Sequence, residues 1–63
     1  MNKTQQMKEA LESILKTATD HPAFDRGSFD NRDIDALVEE GGDVCDWTMV
    51  AITAADALKE VEP

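Results

Sequence analysis

Apolar residues recur near the start of the chain at helical spacing. Met7, Ala10, Leu11, Ile14, Leu15 and Ala18 stand three or four apart, which gathers them on one side of a helix predicted over residues 5–19. Gln5, Lys8, Glu9, Glu12, Ser13 and Lys16 fill the opposite side. Thr4 is the expected N-cap, and Glu12 and Lys16 form the expected i,i+4 ion pair. Pro22 should stop the helix, because the residue before a proline avoids the α region.

The pattern breaks over residues 20–30, DHPAFDRGSFD, where Pro22, Gly27, Ser28 and the aspartates favour turns. Phe24 and Phe29 are large apolar side chains in this irregular loop, so the loop is expected to fold back with both rings packed on the core. A second helix is predicted over residues 31–40. Asp30 is its N-cap, with Asp33 as a weak capping-box partner, and Ile34, Leu37 and Val38 make its narrow apolar stripe. Gly41 should end it in a left-handed conformation. A third helix is predicted from the Gly41–Gly42 turn to about Val61, with Asp43 as N-cap and Asp46 favourably placed in the first turn. Its broad apolar face is Val44, Trp47, Val50, Ala51, Ala54, Ala55, Leu58 and Val61.

These elements predict an all-α fold: one small three-helix domain over residues 1–63, with the Phe-containing loop between helices 1 and 2. The alternative is an irregular α protein with a short strand at 48–53, where TMVAIT is rich in β-branched residues. The helix is preferred because ALKEV continues the same 3.6-residue period. Cys45, Met49 and Ile52 fall on the side of helix 3 away from its main apolar face, at i, i+4 and i+7. A simple three-helix bundle needs one apolar face per helix, so this second stripe is left over. It is either covered by the Phe loop or free to contact a partner or a second copy of the chain.

Charge changes the picture more than composition does. The formal net charge is −8. Residues 30–46 hold Asp30, Asp33, Asp35, Glu39, Glu40, Asp43 and Asp46 against Arg32 alone, so most of the excess sits in that window. A field of this sign attracts basic partners and repels nucleic acid and anionic membranes. Neighbouring carboxylates on a helix lie about 5–6 Å apart at Cβ. DNA phosphates advance about 3.4 Å per nucleotide along a strand. A rigid array of Asp33, Asp35, Glu39, Glu40, Asp43 and Asp46 can therefore enter a basic groove built for nucleic acid, pairing with its Arg and Lys. The same residues would serve solubility if the face were only solvated.

A 63-residue chain has room for one core and buries only roughly 60% of its unfolded surface, so its stability is marginal. Cys45 is the single cysteine, which excludes an internal disulfide and fits a reducing cytoplasm. The N-terminal residues lack the apolar run of a signal peptide, and no apolar run approaches a membrane span. No cofactor or metal site is expected. Residues 30–39 lack the central glycine and spacing of a calcium loop, and one His with one Cys falls short of a zinc site. Nothing in the sequence brings His21 and Cys45 together as a nucleophile and base, so no catalytic residues are assigned. His21 is expected to interact with the last carbonyls of helix 1.

In general character, being very small, acidic and without catalytic residues, the chain is similar to the inhibitors of host defence carried by phages and mobile elements. Anti-CRISPR and anti-restriction proteins include many such chains, and several imitate DNA. The resemblance is one of type. It implies a non-enzymatic cytoplasmic inhibitor that binds the basic, nucleic-acid-contacting surface of a host complex, without binding nucleic acid or membrane itself. The second reading is an interaction or homodimerisation module that uses Cys45, Met49 and Ile52.

Overall fold

Asn2, rather than Thr4, opens the first helix. A computed structural model, which describes residues 2–61, places helix α1 over Lys3–Asp20, with the Gln5 N–H donating to Asn2 Oδ1 at 2.7 Å. His21 takes an extended conformation (ψ 139°) ahead of Pro22 and ends the helix. Lys16 pairs with Asp20 at 2.9 Å and not with Glu12. That hydrogen bond and the Asp20 charge hold the Lys16 ammonium above the usual lysine range.

The expected irregular loop contains a helix. Asp25 caps α2, Arg26–Asn31, accepting from the Gly27 and Ser28 N–H groups and from Ser28 Oγ. Asp30 is therefore inside α2, 3.8 Å from Arg26, and is not an N-cap. Arg32 closes α2 in the left-handed region (φ 54°). Asp33 then caps α3, Ile34–Glu40, accepting from the Ala36 N–H at 3.3 Å. The predicted helix over 31–40 therefore starts only at Ile34, separated by a sharp turn from α2, whose last residue is Asn31.

Gly41 and Gly42 both have positive φ, at 66° and 65°. Gly41 combines this with ψ −168°, a region open essentially to glycine alone. The last helix, α4, spans Gly42–Val61. Asp43 lies within its first turn and not at its cap. Residues 48–53 are helical, and no strand occurs among the described residues. The described residues therefore form four helices where three were expected, and the all-α class stands.

Helix α4 packs mainly against α1 and also touches α2 and α3. Stacking of His21 on Trp47 at one end, and the meeting of Leu11 and Ile14 with Val50 and Ala54, show that α1 runs antiparallel to it. The buried apolar residues are Ala18, Leu37, Ala51, Ile52, Ala54 and Leu58. Half of them are alanines, which allow close approach of the helices but bury little area. Thr48 is fully buried with them, and its hydroxyl oxygen accepts from the Asp25 N–H at 2.9 Å. Phe24 and Phe29 are half-buried and meet edge to face at 5.3 Å. Arg26 lies over both rings and Arg32 over Phe29, so cations cover part of what the core does not.

Replacing Thr48 by Val keeps the shape and leaves the Asp25 N–H without its acceptor. Urea denaturation should show a loss of about 1–3 kcal/mol for Thr48→Val and near wild-type stability for Thr48→Ser. Gly41→Ala should cost about 1–3 kcal/mol through backbone strain alone, since an added Cβ would meet nothing within 4 Å. An unchanged urea midpoint in either the Val or the Ala variant would contradict these assignments.

Candidate partner-binding face

The acidic face is carried by α3, the Gly41–Gly42 turn and the first turn of α4. Asp33, Asp35, Glu39, Glu40, Asp43 and Asp46 are all exposed. Leu37 fixes how α3 sits: it is fully buried, which turns Asp35 and Glu39 to the opposite side of the helix. Asp35 and Glu39 are i,i+4 neighbours, and Asp43 and Asp46 are i,i+3 neighbours, so like charges lie one helical turn apart.

Nothing within the described residues neutralises these groups. Arg32, the one base in the window, places its guanidinium over Phe29, donates to the Phe29 carbonyl and pairs with Asp56 at 3.2 Å. Arg26 is engaged by Asp30, and Lys16 by Asp20. None of the six carboxylates forms an ion pair among the described residues. Asp33 has a local task as the α3 cap. Asp35 and Asp43 lie in first turns, where negative charge suits the helix dipole.

Glu39 and Glu40 have no such local benefit. They occupy the last turn of α3, which holds no base, so both charges sit at the negative end of the dipole. Val38 beside them is 66% exposed, although the helical pattern marks it for the core. A helix of seven residues cannot bury three apolar positions on one narrow packing face, and Leu37 takes the buried place. The result is an apolar side chain displayed among carboxylates. Among the described residues no three of His, Cys, Asp and Glu are grouped to hold a metal ion.

The second predicted surface is altered by the packing. Ile52 is only 5% exposed and belongs to the core. Thr48, Ile52 and Asp56 are successive i+4 positions on α4. Thr48 bonds to the start of α2, and Asp56 pairs with Arg32 at its end, so Ile52 between them faces α2. Cys45 and Met49 are half-buried. Of the stripe, only Ile52 is taken into the core; Met49 instead meets Leu11, Ile14 and Val50 between α1 and α4. Val50, assigned to the main apolar face, is instead 41% exposed.

Sequence reasoning missed the role of His21. Its Nδ1 accepts from the Ala23 N–H at 3.0 Å, and its ring stacks on Trp47 with centroids 4.1 Å apart and planes 12° from parallel. It locks the turn after α1 onto the start of α4. Its place before Pro22 signalled the turn, but nothing local pointed to Trp47.

No helix among the described residues is long and apolar enough to cross a membrane. Comparisons with protein-family models, with curated proteins and with solved structures find no match to this chain, so its function has to be argued from its own geometry.

Proposed function

We propose that this protein is a non-enzymatic inhibitor that imitates nucleic acid. It acts in the cytoplasm, where its acidic face docks on the basic, nucleic-acid-contacting surface of another protein or complex. The contact residues are Asp33, Asp35, Glu39, Glu40, Asp43 and Asp46, each accepting charge-assisted hydrogen bonds from Arg or Lys of the partner. The observation that carries this reading is the pair Glu39 and Glu40 at the unfavourable end of α3, with no compensating base. A local conflict with the rules of folding is expected where a surface serves function. A merely solubilising face could place its charges at helix N-termini without that cost.

The proposed partner surface follows from the same residues. Its groups must be cationic and spaced to meet carboxylates one helical turn apart, which is the property of a protein groove that holds a phosphate backbone. Exposed Val38 adds a central apolar contact to an otherwise polar face. Association should be fast and should weaken with salt.

Two outcomes test the reading. Glu39→Gln with Glu40→Gln should stabilise the fold modestly, by up to about 1 kcal/mol and with a higher urea midpoint, because it removes charges from the wrong end of α3; a lower midpoint would mean that the two acids stabilise the fold. Tagged protein should capture a nucleic-acid-binding protein from bacterial lysate at low salt and release it at high salt. The triple variant Asp35→Asn, Glu39→Gln, Glu40→Gln should remain folded and capture none of it. Equal capture by the folded triple variant would overturn the proposal.

A further inference from the structure

The outer side of the α1–α4 pair is a different kind of surface. A groove of about 290 Å³ runs between the two helices, lined by Leu11, Ile14, Met49, Val50, Thr53 and Ala54. No charged side chain lines it, in a chain where 32% of residues are charged. Its rims stand out into solvent: Ile14 is 46% exposed and Val50 41%, and Met7 extends the apolar strip two turns along α1 at 53%. We infer that this groove is the docking surface for a second copy of the chain, which lies across it about a two-fold axis to complete a four-helix core.

Four observations favour that occupant. The groove has recess and ridge side by side, so one copy can insert Ile14 and Val50 where the other is hollow, as a two-fold interface requires. The absence of charge along it means that a chain of net charge −8 is not repelled there by its own copy, while a basic partner finds nothing to pair with. Helices of 18 and 20 residues are about 27 and 30 Å long. At the usual helix spacing their outer faces form a strip roughly 18 Å wide and about 500 Å² in projection, with the uncharged groove at its middle and the exposed Lys3, Asp46 and Glu60 toward its ends. That is of the order of the roughly 800 Å² per partner that a stable interface buries.

The fourth is the monomer's own deficit. Only Leu37, Ile52 and Leu58 are large apolar side chains in the buried core. The exposed surface is 4298 Å², against about 4,000 Å² for a monomer of 6.9 kDa. A second copy removes apolar surface that none of the four helices among the described residues covers. This inference is independent of the acidic-face reading, since all six residues that line the groove lie outside the 33–46 window.

Sedimentation equilibrium under reducing conditions tests it with the full chain. The mean mass should rise with concentration from 6.9 kDa toward twice that value. Ile14→Lys and Val50→Lys should each hold the mass at the monomer value with helical circular dichroism retained. Thr53→Lys, at an exposed position on the rim, should do the same if either of the first two fails to fold. A monomer mass for the wild type up to millimolar concentration would overturn the inference, including the case in which the groove binds an apolar helix of another protein. So would a dimer that persists in the folded variants.

Discussion

Everything in this fold depends on α4 serving three neighbours at once. It is the helix that α1, α2 and α3 all touch, and it has to present a packing surface in each direction. Ala51 and Ala54 let the helices approach closely, and Leu58 and Ile52 fill the space on either side. Thr48 makes the arrangement specific. A fully buried hydroxyl is tolerated only with a partner, and the Asp25 N–H is the one provided. That bond fixes where α2 begins. Asp25 then caps α2, Arg32 returns to Asp56 on α4, and Asp33 starts α3. Two polar links, 23 and 24 residues apart in sequence, therefore staple the short middle helices to the long one.

The acidic face is a product of that stapling. A seven-residue helix does not persist alone in water. Helix α3 exists because Asp33 caps its start, Leu37 anchors its middle and Gly41 ends it in a conformation other residues avoid. Those three fixed points turn Asp35, Glu39 and Val38 outward. The backbone holding the carboxylates is thus ordered before any partner arrives, which lowers the entropy lost on binding. The charge is concentrated by the same geometry, because Arg32, the one base in the 30–46 window, is committed to Asp56.

Much of this was legible in the sequence. The periodicity of Met7 to Ala18 located α1, the 3.6-residue repeat through ALKEV settled helix over strand at 48–53, and Gly41–Gly42 marked the turn. The exposure of the six acids followed from their chemistry. What could not be read was the number of neighbours of α4. Counting one apolar face per helix made Cys45, Met49 and Ile52 look surplus, whereas a central helix needs more than one such face. The turn-rich composition of residues 20–30 hid α2, although Asp25 followed by Ser28 three residues later carries an N-cap signal. The Thr48–Asp25 bond and the His21–Trp47 stack join residues far apart in the chain, and no local pattern encodes either.

The central claim is that the acidic face takes the place of nucleic acid on a basic surface. The most direct measurement is competition. The captured partner, bound to a fluorescent nucleic-acid ligand that it recognises, is titrated with the protein while anisotropy is followed. The account predicts displacement of the ligand as the acidic face saturates the partner, with displacement weakening as salt is raised. A partner that binds the protein and its nucleic acid together, with no fall in anisotropy, would contradict it.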